Sequence, residues 1–218
     1  MSRVVIEDRN CKIDIDELRP MGDLIIIKVI EREKTTGGIL LAGSKATELC
    51  LGEVVRVGSG GVGRLGRRYP IELQPGDHVF TMGYIGERME IRSGEYRFVH
   101  DNGIWARVKC KDAASFDFAA IEPRFGNLLV RPADETKTLS GALFLPNAEN
   151  AKSETRLGTV VAVGPGPWNA ETGARQLMQS KVGDGVLFVR YAGAAVSLNG
   201  EKLRILNETD IKSFTEDE

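Results

Sequence analysis

The sequence predicts an all-β chain built as two tandem copies of one small β-barrel module. Two observations predict it. A series of motifs occurs twice in the same order, and the segments between its turns are short β-branched runs with no sustained helical period. In the first half the series is Thr35-Thr36-Gly37-Gly38-Ile39-Leu40-Leu41, then Gly52-Glu53-Val54-Val55-Arg56-Val57-Gly58, then Pro75-Gly76-Asp77. In the second half it is Ser140-Gly141-Ala142-Leu143-Phe144-Leu145-Pro146, then Gly158-Thr159-Val160-Val161-Ala162-Val163-Gly164, then Val182-Gly183-Asp184. Gly37 matches Gly141, Gly52 matches Gly158 and Gly76 matches Gly183, so the spacing grows slowly from 104 through 106 to 107 residues. Small insertions therefore sit between matched elements rather than inside them. A repeat of this kind fixes the architecture before any single residue is weighed.

Arg19-Pro20 and Glu122-Pro123 open the two copies. The expected organisation is an N-terminal extension over 1–18, a first domain over 19–108, a linker over 109–121 and a second domain over 122–218. The extension has no expected counterpart before the second copy. Its Lys12-Ile13-Asp14-Ile15-Asp16 alternates with period two, which suits either a short edge strand or a loosely held tail. Expected strands follow at 23–29, 52–57, 77–81, 95–99 and 103–108. In the second copy they fall at 127–131, 158–163, 185–189, 202–206 and 210–214. Gly-rich or Pro-Gly turns punctuate them, and many short strands at close spacing argue for a small barrel per module. In the linker, Phe116 and Phe118 imply that it packs on something.

Composition narrows the function. A chain of 218 residues accommodates two modules of about 100. Net charge is −2, from 29 basic and 31 acidic residues, which gives no global pull toward nucleic acid or anionic membranes. No apolar run approaches the ~18–20 residues that cross a bilayer as a helix. The three cysteines, Cys11, Cys50 and Cys110, are an odd, scattered set that reads as free thiols in a reducing compartment. The N-terminus shows no signal-peptide core. A cytoplasmic protein is expected, and the plastid stroma is compatible with removal of a transit peptide.

Two connections are too long for barrel hairpins. Residues 31–51 and 134–157 are polar, and loops beyond ~12–15 residues are usually functional or disordered. Each carries one apolar island, Ile39-Leu40-Leu41 and Leu143-Phe144-Leu145. An island within a polar loop packs back on the barrel or serves a partner, and its presence in both copies favours the partner.

These residues resemble the GroES co-chaperonins over nearly the whole chain. The resemblance rests on the ordered set: an opening Arg-Pro or similar pair, a β-branched strand, and a long loop with Gly-Gly and three apolar residues. Gly-x-Val-Val-x-Val-Gly, a variable hairpin, a Gly-Asp before a strand and a closing Asp-Ile-like strand complete it. Each is weak alone, and the set occurs twice. It implies two tandem GroES-like irregular β-barrels, each with a long loop, mobile when free, and a roof hairpin at 59–73 or 165–181. It also implies a ring that caps an ATP-driven, double-ring chaperonin, assembled by pairing one subunit's closing strand with its neighbour's opening strand. The gripping residues would be Ile39, Leu40 and Leu41 in copy one and Leu143, Phe144 and Leu145 in copy two. Gly37 and Gly38 would make the turn before the grip, as would Gly141 and Ala142. Alanine is costlier than glycine there if the turn needs positive φ. Whole two-domain chains do not fill a seven-membered ring evenly. Four chains give eight domains, seven give two stacked sevens, and co-assembly with single-domain co-chaperonin subunits is a third arrangement.

Elementary energetics suit that role. Burying three apolar side chains yields roughly 5–9 kcal/mol per loop. Ordering about ten loop residues costs ~1–2 kcal/mol each. Single loops therefore bind weakly, whereas loops on one ring bind together at high effective concentration.

Rival readings are weaker. Gly58-Ser59-Gly60-Gly61-Val62-Gly63 fits G-x-G-x-x-G, but Arg64-Leu65-Gly66-Arg67-Arg68-Tyr69-Pro70 is no helix opening to receive a phosphate. His78 and His100 have no Cys or Glu at ligand spacing, so no metal or other cofactor is expected. Asp77 and Asp184 read as turn caps, and no catalytic residue is expected. Arg64, Arg67 and Arg68 form a solvated hairpin tip without the aromatic platform of a nucleic-acid site. Trp105 and Trp168 are expected to pack in a barrel strand and in the roof hairpin. The alternative function is a structural or assembly protein that keeps the barrel and ring without binding a chaperonin.

Overall fold

The computed structural model describes residues 15–30, 49–91, 94–109, 118–133, 155–169, 171–198 and 201–215. Among these there is no α-helix, and two irregular β-barrels follow one another. The first contains β1 (Leu24–Val29), β2 (Leu49–Val57), β3 (Gly61–Val62), β4 (Arg68–Tyr69), β5 (His78–Met82), β6 (Glu87–Ile91), β7 (Gly94–His100) and β8 (Ile104–Val108). The second contains β9 (Ile121–Pro123), β10 (Asn127–Pro132), β11 (Thr155–Val163), β12 (Gly185–Val189), β13 (Ala194–Leu198), β14 (Glu201–Asn207) and β15 (Ile211–Phe214). The sheet orders are β6-β7-β1-β2-β5-β8-β9 and β13-β14-β10-β11-β12-β15, with β3-β4 as a separate hairpin.

The repeat holds residue by residue. Ile25 pairs with Val57 and Val99, and its counterpart Leu128 pairs with Val163 and Leu206. Even the irregularities match. The β1·β2 ladder shifts register between Ile26 and Ile27, and β10·β11 shifts between Leu129 and Val130. A second shift lies between Phe80 and Thr81, repeated between Leu187 and Phe188.

β-Branched and aliphatic residues fill each barrel because alternate strand positions point to one face. Ile25, Ile27, Val54, Leu73, Val79, Val99 and Ile104 form the first interior. Leu128, Val130, Val160, Val186, Phe188 and Leu206 form the second. A third cluster joins the barrels. Leu49, Leu51, Phe80, Met82, Ala106 and Val108 of the first pack with Ile121, Leu129, Val196 and Leu203 of the second. The outer face of one barrel is thus the inner face of a two-barrel body.

Three features differ from the sequence reading. Ile15–Glu17 is a 3-10 turn, not strand, because Leu18 N donates to Ile15 O at 3.2 Å. That turn has a counterpart, Phe118–Ala120, so the segment before copy one is partly repeated. Phe118 packs on the shared cluster, while Phe116 lies outside the described residues. Strands β6 and β13 are additional. They hydrogen-bond to β7 and β14 as hairpin partners.

Candidate functional site

The expected grip residues Ile39, Leu40, Leu41, Leu143, Phe144 and Leu145 lie outside the described residues. So do the turn residues Gly37, Gly38, Gly141 and Ala142. What is described is the root from which each loop leaves. Ile30 N donates to Leu51 O at 3.0 Å, and Ala133 N donates to Leu157 O at 2.9 Å. These bonds occupy matched positions and clasp both loops at the same end of equivalent strand pairs.

The module junction is a strand pairing. β8 and β9 run antiparallel, with Ala106 opposite Pro123, Arg107 opposite Glu122 and Val108 opposite Ile121. Arg107 Nε and Nη2 donate to Glu122 Oε2 at 3.1 and 2.7 Å, and Lys109 Nζ lies 2.5 Å from Oε1. Partial burial raises the Glu122 pKa, but Lys109 and Arg107 outweigh it and hold the carboxyl below its ordinary value. Deeper in the seam, Arg124 Nη2 lies 2.8 Å from Asp101 Oδ1. Burial pushes Asp101 up and Arg124 down, each toward its neutral form, against their mutual attraction.

The roof segments meet above this seam. Tyr69 stacks on Trp168 with centroids 5.7 Å apart and planes at 25°. Arg175 lies over two rings, 4.0 Å from the Trp168 centroid and 5.4 Å from that of Phe125. Its Nη2 pairs with Glu72 Oε2 at 2.5 Å. Arg67, expected as part of a solvated tip, donates to Thr172 O at 3.1 Å, and Arg68 to Ser59 Oγ at 2.6 Å. The glycine run has a steric origin. A Cβ on Gly58 would meet Gly22 O at 2.3 Å, and one on Gly60 would meet Tyr69 O at 2.1 Å.

Other expectations find structural roles. Asp77 Oδ2 accepts from Gln74 N at 2.8 Å, and Asp184 Oδ2 accepts from Lys181 N at 2.7 Å, so both cap turns. His100 Nδ1 lies 3.0 Å from Asp23 Oδ1. Trp105 packs from β8 against the shared cluster. Sequence reasoning did not single out Arg124, Phe125 or Arg175. The available signal was a mismatch between copies: Arg124 and Phe125 stand where copy one has Met21 and Gly22.

Comparison with known proteins agrees with this architecture. A family model described as Chaperonin 10 Kd subunit matches residues 17–108 and again residues 120–214. The 20 kDa chaperonin, chloroplastic, of Spinacia oleracea is 31% identical over 197 residues, covering 89% of this chain and 73% of that protein. The co-chaperonin GroES of Gemmatimonas aurantiaca is 41% identical over 91 residues, 42% of this chain and 90% of that protein. That of Exiguobacterium sibiricum is 41% identical over 90 residues, 41% of this chain and 96% of that protein. With two matched modules sharing one topology and one set of register shifts, the chain belongs to the chaperonin 10 Kd subunit family, whose fold it carries twice in tandem.

Proposed function

We propose that the chain is a co-chaperonin that caps the folding chamber of an ATP-dependent double-ring chaperonin and so assists protein folding. The observation that carries this reading is the pair of matched root clasps, Ile30 to Leu51 and Ala133 to Leu157. They present both long loops, with Ile39-Leu40-Leu41 and Leu143-Phe144-Leu145, from equivalent places on one body. The loops then act together on a partner that repeats its binding surface. The role requires binding and release, and no covalent step. Self-association into a ring, with or without single-domain co-chaperonin subunits, multiplies the grips. A bacterial cytoplasm or a plastid stroma is the proposed setting. The relative named as a chloroplastic chaperonin supports the second.

The test is gel filtration with a double-ring chaperonin, with and without ADP. Nucleotide-dependent co-elution is expected for the wild type. Leu40→Asp combined with Phe144→Asp should abolish it while leaving self-assembly intact. A double variant that still co-elutes refutes the loop assignment. A wild type that assembles but never co-elutes favours the structural or assembly protein.

A further inference from the structure

A cleft of about 620 Å³ opens at the junction of the two barrels. That is the size of an ordinary small-molecule site. Both modules line it, so neither barrel forms it alone. Asp23, Tyr69, Asp101 and Trp105 come from the first, and Phe125, Trp168 and Glu208 from the second. The repeat does not dictate its rings. Gly22 stands at the position of Phe125, Val62 at that of Trp168 and Lys212 at that of Trp105. The matched positions at the outer edges of the chain therefore lack three of the four rings. The ring-lined wall is a property of this junction and not of the fold.

Charge in the cleft has one sign. Its charged lining residues are the three carboxylates, and no lysine or arginine lines it. Asp101 is paired with Arg124, but Asp23 and Glu208 have no guanidinium or ammonium partner among the described residues. Asp23 Oδ1 lies 3.0 Å from His100 Nδ1, and Glu208 Oε1 accepts from Gln179 N at 2.9 Å and Ser180 N at 2.7 Å. The second oxygen of each has no partner among the described residues. The negative field reaches Asp101 as well. Burial raises its pKa, Arg124 opposes this, and Glu72 and Asp23 raise it further. The rings of the wall are of a kind that takes cations. The chain's own guanidiniums lie over two of them, Arg124 over Phe125 at 4.7 Å and Arg175 over Trp168 at 4.0 Å. Tyr69 and Trp105 are half-buried and carry no cation among the described residues.

We propose that the junction cleft is a binding site for a small organic dication of the alkyl diamine class. One ammonium pairs with Asp23 of the first barrel and the other with Glu208 of the second, while the methylene stem lies along Tyr69 and Trp105. Three features select this class. Carboxylates supplied by both modules ask for two positive charges on one ligand. The rings offer apolar surface to a stem and quadrupole attraction to an ammonium, and a hydrated metal ion would use neither. An anion would meet three carboxylates with no ammonium or guanidinium among the lining residues to receive it. A ligand held by both barrels binds the folded junction and so stabilises the two-barrel body. The site goes beyond the lid reading and does not depend on it.

The chain has two tryptophans, Trp105 and Trp168, and both line the cleft, so intrinsic fluorescence reads the site directly. The test is titration of the full chain at physiological salt with cadaverine, pentylamine and glutarate, followed by fluorescence and by thermal unfolding. These probes share one carbon chain length and differ in their end groups. Cadaverine should give a saturable fluorescence change and a rise in Tm. Pentylamine, with one ammonium fewer, should bind about tenfold or more weakly. Glutarate should leave both signals unchanged. Asp23→Asn combined with Glu208→Gln keeps the side-chain shapes and removes the charges, and should abolish the preference for cadaverine over pentylamine. Unfolding of the unliganded variant checks its fold, and the ligand series on the wild type decides without it. No saturable change with cadaverine at millimolar concentrations overturns the proposal. So does an equal response to cadaverine and pentylamine, a response to glutarate like that to cadaverine, or a folded double variant that keeps the full preference. Chaperonin co-elution is read separately, so failure of either result leaves the other standing.

Discussion

The Arg124 guanidinium of the second barrel lies 2.8 Å from the Asp101 carboxylate of the first, with side-chain exposures of 8% and 11%. An ion pair buried this deeply makes a poor net contribution, since desolvation consumes most of the Coulomb gain. Breaking it is another matter. Arg124→Met, the residue that copy one has at Met21, leaves the buried Asp101 carboxylate without its guanidinium partner and should cost about 3–5 kcal/mol. Adding Asp101→Asn, which removes the stranded charge, should recover most of that loss. A double-mutant cycle by urea unfolding measures the coupling, and simple additivity would show that the two do not act as a pair.

The seam holds two carboxyls with opposite acid responses. Glu122 is held below its ordinary 4.5. Its contribution is full above that value and is lost as pH falls through the lower folded-state pKa. Asp101 is held above its ordinary 3.8 by burial. Its ionised form opposes folding at higher pH, and this opposition is relieved as pH falls through the raised pKa toward 3.8. Glu122→Gln should flatten the acid-side fall of Tm. Asp101→Asn should steepen it once the curves are normalised at neutral pH. Parallel curves for the two variants would contradict both assignments.

Phe125 has φ of 52°, the only positive φ at a non-glycine among the described residues. Gly22, at the matched position, has φ of 59° with open space around it. The strain places an aromatic ring beneath Arg124, 4.7 Å away, and Arg175, 5.4 Å away. Phe125→Ala loses the ring and keeps the strain, whereas Phe125→Gly loses the ring and relieves it. The glycine variant should therefore be the more stable of the two by about 1 kcal/mol. Equal stabilities would remove strain from the account.

Much of this was written in the sequence, for identifiable reasons. The repeat showed because turns demand particular residues, such as Gly-Asp before β5 and β12, and these recur in order. The strands at Leu24–Val29 and Asn127–Pro132 showed because buried β-branched and aliphatic runs permit little else. Glu87–Ile91 and Ala194–Leu198 did not show, because Glu, Arg, Met and Ala carry weak strand propensity. Hairpin pairing with β7 and β14 overrides that preference. Contacts such as Tyr69 on Trp168 join residues about a hundred positions apart and have no periodic signature. Arg67 is exposed, as a solvated tip requires, but its bond to the backbone of Thr172 is one that no sequence pattern marks.

Trp168 should report on the roof of the seam. Replacing it with alanine removes the stack on Tyr69 and the Arg175 contact at 4.0 Å. Those contacts are worth roughly 1–2 kcal/mol together. Tyr69→Phe keeps the stack and loses only the hydroxyl's bond to Asn169 O at 3.2 Å, so it should cost no more than about 1 kcal/mol. Denaturant unfolding ranks the variants, and a costlier Tyr69→Phe would place the hydroxyl above the stack.

The two loops differ at one turn position, and under the proposed function that difference is measurable. Copy one has Gly37-Gly38 before its apolar tripeptide, and copy two has Gly141-Ala142. A bound turn with positive φ at the second position costs alanine about 1–2 kcal/mol more than glycine. Ala142→Gly should therefore tighten chaperonin capture through the second loop. The gain is clearest in a chain whose first loop is disabled by Leu40→Asp, where about five- to thirtyfold is expected. Titration of that chain against a double-ring chaperonin with ADP, monitored by gel filtration, gives the shift. An unchanged affinity would mean that the second loop binds through a turn that accepts alanine, and the two grips would then be equivalent in spite of their sequences.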